Sequence, residues 1–231
     1  MPSVREENRD RRYWTVRAIC AFICRILARI EVVGQENLDI DGACLVVVNH
    51  LSVFDPPLLG ILLPRRSWAM TAEKYRRHPL FSPIMHLVGV IFVQRGKVDR
   101  RALRAALKVL REDGVLVLAP EGTRSKTGGL QQAKEGAAYL ASRTGATIVP
   151  VAITGTEKMV SALKRLRRER VRVVVGEPFR LPTASGLDRG SQLTTYTGLI
   201  MCRLATLLPE SYRGFYRSRC TPEGAPLPAA D

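Results

Sequence analysis

The chain has 231 residues, 46% of them hydrophobic, and its 36 lysines and arginines against 21 acidic residues give a formal net charge of +15. This length suits a single domain with small additions, and the apolar content is ordinary for a globular protein. The strong positive charge indicates a polyanionic partner, either nucleic acid or an anionic membrane surface. Because aromatic residues make up only 6% of the chain and no nucleic-acid-binding motif is present, we expect an anionic membrane surface and no nucleic acid as the partner.

The five cysteines show no paired spacing. Cys20 and Cys24 lie one helical turn apart and the other three are scattered, so no Cys-x2-Cys pair indicates zinc. The odd count and the lack of a secretory signal peptide favour a reducing compartment. We therefore expect no metal site, and a protein that lies peripherally on the cytoplasmic face of the cell membrane.

Residues 1–30 are predicted to form an N-terminal region, with a charged, mobile tail over 1–12 and an amphipathic helix over 13–30. On a helix, one face would carry apolar side chains, namely Val16, Ile19, Ile23, Ile26, Leu27 and Ile30. Three arginines would gather on the other face, namely Arg17, Arg25 and Arg29. The stretch is too charged to span a bilayer but suits a helix lying in the membrane interface. A helix packed on the protein's own core fits the same pattern.

From residue 31 onward, apolar runs typical of strands alternate with helical patterns. The predicted strands cover residues 31–33, 44–48, 67–71, 90–93, 115–118, 148–153 and 171–175. The predicted helices cover residues 56–63, 79–87, 99–111, 133–143 and 190–208. This alternation predicts an α/β fold, a three-layer sandwich with a mixed, mainly parallel sheet, over a domain of residues 31–210. Residues 211–231 are expected to be a flexible tail, since their end is rich in proline and alanine.

His50 and Asp55 directly follow the predicted strand 44–48. On one continuous helix they would lie about 140° apart and would not meet. Pro56 and Pro57 exclude that arrangement, because a residue before proline is pushed out of the helical region. Asp55 is then expected to be the N-cap of a helix that starts at Pro56, with the link folded back towards His50. Asp55 would accept a hydrogen bond from one imidazole nitrogen and leave the other basic, although a helix cap and a strand end without chemistry fit the same residues.

A second polar cluster, residues 120–125, follows the strand 115–118. Its Arg124 offers a planar fork of donors suited to phosphate. Gly122 lets the backbone approach a ligand, and Thr123 adds a hydroxyl. Read alone, this block is equally typical of a surface turn.

Arg95 ends a third apolar run, and Lys134 stands at a predicted helix start. Because ligands gather at the carboxyl ends of strands in such sheets, His50, Arg95 and Glu121 are expected to share one site. Lys134 either adds positive charge there or is solvated.

Four ordered blocks resemble the glycerolipid acyltransferase family, in particular the 1-acyl-sn-glycerol-3-phosphate acyltransferases. The first motif of that family, Asn-His-x-Ser-x-x-Asp, is matched by Asn49, His50, Ser52 and Asp55. The others are matched by Phe92, Val93 and Arg95, by residues 120–125 without a gap, and by the Val-Pro-Val run of residues 149–151. The resemblance covers residues 30–180. Ala119 departs from it, since many members carry an aromatic residue before the proline.

The resemblance implies transfer of a fatty acyl group from a thioester, acyl-CoA or acyl-carrier protein, to a hydroxyl of lysophosphatidic acid, giving phosphatidic acid. It implies no bound cofactor, and it makes His50 and Asp55 catalytic, with His50 as the general base. The resemblance assigns binding of the acceptor to Glu121 and Arg124. Glu121 would either form hydrogen bonds with the glycerol hydroxyls or hold Arg124 in place. Arg95, Gly122 and Thr123 complete the expected substrate-binding set. An acyl-serine on Ser52 is disfavoured because no Gly-x-Ser-x-Gly elbow surrounds it.

Three alternatives remain open from the sequence. The acceptor could be glycerol-3-phosphate or another lyso-lipid. A metal-dependent phosphohydrolase could use His50, Asp55 and Glu121 as ligands, although a second histidine or acidic cluster is missing. A basic module without catalysis could bind membrane or nucleic acid. The basic run of residues 164–168, and the cluster of Lys74, Arg76 and Arg77, are either solvated surface or contacts for lipid headgroups or carrier phosphates.

Overall fold

The computed structural model describes residues 4–79, 81–96, 98–182 and 189–227. Within these ranges seven strands form one sheet in the order β1-β7-β6-β2-β5-β3-β4. The strands are β1 (Ala28–Val33), β2 (Cys44–Val48), β3 (Ser67–Ala72), β4 (Val90–Val93), β5 (Val115–Leu118), β6 (Thr147–Thr154) and β7 (Glu169–Val175). Five of them, β2 to β6, run in one direction, while β7 pairs antiparallel with β6 and β1 pairs parallel with β7. The sheet is therefore mixed and mainly parallel, as predicted.

The strand directions bring several chain segments to one edge of the sheet. The carboxyl ends of β2 to β6 share this edge with the amino ends of β1 and β7, because Thr154 pairs with Arg172 and Ala28 pairs with Glu169. We call it the upper edge. The opposite edge, where β5 and β6 begin, is the lower edge.

Helices cover both faces of the sheet. They are α1 (Val4–Leu27), α2 (Asp55–Leu62), α3 (Phe81–Val88), α4 (Arg100–Arg111), α5 (Gly136–Thr144), α6 (Met159–Lys164) and α7 (Arg189–Thr206). Strand residues alternate between two cores, with Leu45 and Val47 in one and Val46 and Val48 in the other. The first core contains side chains of α4, α5 and α7, and the second contains side chains of α2 and α6. The three-layer α/β fold is confirmed.

The predicted limits of three strands and the predicted start of one helix agree with the structure. β2, β4 and β5 have the predicted limits, and α4 begins after Asp99, whose carboxylate accepts the N–H groups of Arg101 and Ala102. The predicted helix 133–143 begins only at Gly136. The short helix α6 was missed, because only Met159 and Ala162 of its six residues are buried, which leaves no periodic pattern to read.

The N-terminal helix differs from the prediction in its limits and in its buried face. It begins at Val4 and ends at Leu27, so part of the predicted mobile tail is helical and residues 28–30 belong to β1. Tyr13 and Cys24 face the core, whereas five large apolar side chains remain exposed, namely Trp14, Ile19, Phe22, Ile23 and Ile26. Half of the predicted apolar face is therefore exposed, while its other members, Val16, Leu27 and Ile30, are partly buried. Among the helices that the structure describes, none is long and apolar enough to cross a membrane.

Arg17 holds α1 in this orientation. It donates to the carbonyl oxygens of Gly60, Ile61 and Leu63 at 2.9, 2.8 and 3.1 Å. These carbonyls lie at the end of α2, where backbone acceptors lack helical partners. A cation there also interacts favourably with the helix dipole. Arg17, predicted on the polar face, instead fastens α1 to α2.

The expected flexible tail over residues 211–231 is wrong for its described part. Leu130 donates its N–H to Tyr212 O at 2.9 Å and accepts from Phe215 N at 2.8 Å, and Tyr216 is buried. Cys202 and Cys220 are joined in a disulfide, which corrects the expectation that the cysteines are unpaired and removes its support for a reducing compartment. Residues 228–231 lie outside the described residues.

Candidate active site

His50 and Asp55 are in direct contact at the upper edge. Nδ1 of His50 lies 2.8 Å from Oδ2 of Asp55, and the same oxygen accepts the N–H groups of Leu51 and Ser52, both at 2.7 Å. The link between the two residues therefore folds back as predicted, although Asp55 is helical and not extended as Pro56 led us to expect. The expected N-cap role of Asp55 is wrong: Phe54 holds that position, and Asp55 is the first helical residue. Its carboxylate binds the preceding loop rather than its own helix.

The environment of Asp55 fixes the tautomer of His50. An ionised carboxylate only accepts hydrogen bonds, so Nδ1 carries the hydrogen and Nε2 is left as an acceptor. Asp55 is buried, whereas the His50 side chain keeps 20% of its surface exposed. Nε2 has no hydrogen-bond partner among the described residues. The pair thus presents a basic nitrogen to whatever enters from the upper edge.

Thr156 was not identified from the sequence as part of this site. Its hydroxyl donates to Oδ1 of Asp55 at 2.6 Å, and its side chain is fully buried. It follows Gly155, whose φ of 91° and close approach to Arg170 O leave no room for a Cβ. The glycine thereby brings the threonine to the end of β6. The rule that sites form at the ends of strands could have found it, since Thr156 follows the predicted strand 148–153.

Asn49 holds the end of β2 against β6. Its amide donates to Ile153 O at 2.8 Å and accepts from Ile153 N at 2.7 Å. Both polar atoms of the side chain are therefore satisfied although Asn49 is buried. The residue preceding His50 is thus fixed in space by the neighbouring strand.

Glu121 fastens the second motif to His50. Its Oε1 accepts the backbone N–H of His50 at 3.1 Å, and its Oε2 accepts the backbone and side-chain N–H groups of Gln131 at 2.8 and 3.3 Å. Ser125 N donates to His50 O at 2.7 Å from the other side. Burial raises the pKa of Glu121 above its usual value, while the donors from Gln131 and His50 oppose that rise. Arg124 is not among these partners, and bonding of the glycerol hydroxyls by Glu121 stays a prediction.

Arg124, by contrast, is exposed and uncommitted. It makes no hydrogen bond or ion pair with any residue that the structure describes, and Thr123 beside it is also exposed. Its neighbour Ser125 bonds to the backbone of His50, so the loop of Arg124 is joined to the residue that carries the imidazole. Gly122 has φ 68°, and a Cβ added there would lie 3.4 Å from Lys134 Nζ. The exposed Lys134 therefore adds a cation beside the same loop.

Arg95 lies at the same edge but farther away. It follows β4, and β5 and β3 stand between β4 and β2. Three strand spacings amount to about 14 Å. The structure thus groups His50, Asp55, Glu121 and the loop of Arg124, and leaves Arg95 on the flank.

The contacts of Ser52, Asp55 and Glu121 give little support to an acyl-serine intermediate or to a metal site. Ser52 Oγ accepts the N–H of Phe54 at 3.4 Å, and no hydrogen bond joins it to His50 within the described chain. Asp55 and Glu121, the carboxylates proposed as metal ligands, have their oxygens occupied by N–H and O–H donors. Over the described residues, no group of three or more His, Cys, Asp or Glu side chains is placed to hold a metal ion.

Comparisons with known proteins agree with the four sequence blocks. The family described as Acyltransferase matches residues 29–154. The 1-acyl-sn-glycerol-3-phosphate acyltransferase of Borreliella burgdorferi is 29% identical over 141 residues, which cover 59% of this chain and 56% of that protein. The beta form of the same enzyme in Homo sapiens is 30% identical over 155 residues, covering 66% of this chain and 55% of that protein. The chain thus spans about half the length of the curated relatives it matches.

A solved structure shares the fold. The crystal structure of the 1-acyl-sn-glycerophosphate acyltransferase of Thermotoga maritima superposes with a TM-score of 0.68 at 25% identity, covering 85% of this chain and 79% of that one. The family match includes His50, Asp55 and the loop of Arg124, the groups that the fold assembles at the upper edge. The chain therefore belongs to the acyltransferase family.

Proposed function

We propose that the chain transfers a fatty acyl group from a thioester to a hydroxyl of lysophosphatidic acid, giving phosphatidic acid. The observation that carries the proposal is the His50–Asp55 pair, to which the loop of Arg124 is tied by the hydrogen bond from Ser125 N to His50 O. The names of the relatives in Borreliella burgdorferi and Homo sapiens give the acceptor class. The acyl donor is acyl-CoA or acyl-carrier protein, and no bound cofactor or metal takes part.

His50 acts as the general base in this proposal. The acceptor hydroxyl donates a hydrogen bond to Nε2 and loses its proton there as its oxygen attacks the thioester carbonyl. The C–S bond then breaks, and the imidazolium returns the proton to the departing thiolate. Asp55 stabilises the imidazolium and keeps the ring oriented, as its contacts with Leu51, Ser52 and Thr156 keep it fixed. A positioned general base contributes about 10²–10⁴-fold in rate.

The acceptor phosphate binds beside the base. Arg124 offers an uncommitted guanidinium with planar, bidentate donor geometry, and Lys134 adds a second positive charge. Gly122 lets the backbone of this loop approach the phosphate, and the hydroxyl of Thr123 is a further donor. Arg95, on the flank, suits a longer contact with the phosphate or with the acyl donor.

We infer peripheral binding to a membrane surface through α1. Its exposed side chains Ile19, Phe22, Ile23 and Ile26 form an apolar face that no described element of the chain covers. An apolar helix face beside basic residues is typical of helices that lie in the membrane interface. The net charge of +15 favours an anionic leaflet.

The experiment that tests the proposal presents labelled lysophosphatidic acid in anionic vesicles to the purified chain, with acyl-CoA and then with acyl-carrier protein. We expect phosphatidic acid from at least one donor and none after His50→Ala. Parallel reactions with glycerol-3-phosphate and with other lyso-lipids identify the acceptor, since the preferred one shows the highest kcat/KM. Absence of acylated product with every donor and acceptor contradicts the proposal.

A further inference from the structure

The turn after α6 has a leucine where helices normally place glycine. Leu166 N donates to Leu163 O and Arg167 N donates to Ala162 O, both at 2.9 Å, which is the Schellman pattern of helix termination. Leu166 is the left-handed residue of that pattern, with φ 53°, whereas α5 ends on Gly145 with φ 64°. A leucine is disfavoured in this backbone conformation. Folding of the turn therefore gives no reason for a leucine at 166.

Packing gives no reason either. Leu166 is 94% exposed, and Leu163 and Val160 before it are about half exposed at 50% and 49%. Exposed cations flank this apolar tip at Lys164, Arg165 and Arg167. An apolar tip ringed by cations is suited to an anionic bilayer, where the cations meet headgroups and the apolar side chain enters the acyl boundary.

The position of the turn connects it to α1 and to the candidate active site. An Arg168 guanidinium nitrogen donates to Arg25 O and to Ala28 O, where α1 passes into β1, so the turn and the end of α1 lie side by side. Both lie at the upper edge, because β1 and β7 begin there. Thr156, three residues before α6, contacts Asp55. One side of the molecule therefore presents Ile26, the 163–168 turn and His50 together.

We propose that the 163–168 turn is a second membrane contact, which inserts Leu166 into the interface of an anionic bilayer. With α1 alone, the molecule could rotate about the helix axis on the membrane. A second contact beside the end of α1 removes that freedom and holds the upper edge towards the bilayer. The role of the turn in orienting the site rests on the proposed function, because orientation matters only if the acceptor comes from the membrane. The role of the turn in membrane binding is independent of that function.

Charge and hydrophobicity together select a bilayer over an acidic carrier protein. Both partners would attract Lys164, Arg165 and Arg167. Only a bilayer gives the fully exposed Leu166 an apolar environment without a shaped pocket on the partner. Substitution of the leucine therefore distinguishes the two partners.

The test measures partitioning of the full chain, without substrates, onto vesicles of phosphatidylglycerol and phosphatidylcholine. Arg165→Gln with Arg167→Gln should weaken partitioning about 30-fold, from the contribution of each cation near an anionic leaflet. Leu166→Gln should weaken it about 10-fold, from the loss of apolar burial. The matched controls are Arg111→Gln with Arg143→Gln, which removes the same charge at the lower edge, and Leu227→Gln, which removes an exposed leucine elsewhere. Both controls should change partitioning less than threefold.

Equal losses in the variants and in their matched controls would overturn the proposal, because net charge or general hydrophobicity would then explain binding. Unchanged vesicle partitioning of Leu166→Gln, combined with weaker binding of acyl-carrier protein by the double arginine variant, would assign the turn to the carrier and also overturn it. Acylation is measured separately. If the turn variants lose vesicle binding but the wild type forms no acylated product, the membrane role of the turn is supported and the proposed acyl transfer is contradicted. If the wild type forms product but the turn variants bind vesicles as the wild type does, acyl transfer is supported and the membrane role of the turn is contradicted.

Discussion

The pair His50–Asp55 and the arginines Arg95 and Arg124 stand at the same edge of one sheet but differ in how the fold treats them. Asp55 is buried and receives hydrogen bonds from Leu51, Ser52, His50 and Thr156. Arg95 and Arg124 are exposed, and neither side chain has a hydrogen bond or ion pair with a described residue. The His50 imidazole is thus held by contacts within the chain, whereas neither guanidinium has a hydrogen-bond partner among the described residues.

This difference has a physical reason. A general base contributes only if its nitrogen is held within hydrogen-bond reach of the hydroxyl, so rigidity at His50 has catalytic value. A guanidinium that binds phosphate loses affinity if it is already paired, because the existing partner must be displaced. Substitutions of the base should therefore change kcat, and substitutions of the arginines should change the acceptor KM.

The largest expected effect is that of His50→Ala. It removes the proposed base and should lower kcat about 10²–10⁴-fold. The free energy of unfolding should change little, because Asp55 still accepts the N–H groups of Leu51 and Ser52. Initial rates at saturating acceptor and a thermal unfolding curve measure the two effects. His50→Asn is the matched variant, since its amide can replace Nδ1 as donor to Asp55 but offers no base. Activity of the asparagine variant near that of the wild type would remove His50 from the mechanism.

Arg124→Ala should raise the acceptor KM about 10–100-fold, because hydrogen bonds between charged groups contribute about 1.5–3 kcal/mol. Its kcat at saturation should remain near that of the wild type, and so should its melting temperature, since Arg124 is exposed. Steady-state kinetics with acceptor varied in vesicles of constant composition measure both constants. Arg111→Ala, at the lower edge, is the charge-matched control. A KM that changes equally in both variants would contradict the phosphate role.

Thr156→Val tests whether the buried side of Asp55 matters for catalysis. The change keeps the shape of the side chain and leaves Oδ1 without its donor, so we expect kcat to fall about 5–10-fold, the equivalent of about 1 kcal/mol for one hydrogen bond. Thr156→Ser should restore most of the rate. The pH dependence of kcat separates positioning from mere destabilisation, because only a change in the His50–Asp55 pair shifts its midpoint. An unshifted profile in Thr156→Val would limit Thr156 to a structural role.

The smallest expected effect is that of Arg95→Ala, about threefold or less in the acceptor KM. The distance of about 14 Å between the ends of β2 and β4 leaves only a longer contact with the bound acceptor. Donor KM values for acyl-CoA and acyl-carrier protein should be measured on the same variant. A change larger than that of Arg124→Ala would show that Arg95 is the main phosphate ligand.

The sequence predicted those parts of the site that depend on local chain geometry. Pro56 and Pro57 mark the first turn of α2, and the buried runs 44–48 and 115–118 place His50 and Glu121 just after neighbouring strands. What it did not show depends on contacts between distant residues. Thr156 reaches Asp55 and Asn49 reaches Ile153 across about one hundred positions in the chain.

The same limit explains the errors at the two ends of the chain. The buried face of α1 is set by Arg17 and the end of α2, which periodicity within the helix cannot reveal. The described part of the C-terminal region is ordered by Leu130 and by the Cys202–Cys220 disulfide. Composition alone suggested a flexible tail because it contains no information about these partners.

The most direct measurement compares phosphatidic acid formation by His50→Ala and by Arg124→Ala as the lysophosphatidic acid in the vesicles is raised to saturation. We expect the arginine variant to approach the turnover of the wild type, while the histidine variant stays at least about 100-fold slower at every acceptor concentration. Recovery of the histidine variant at saturating acceptor would contradict a prebuilt base at the end of β2.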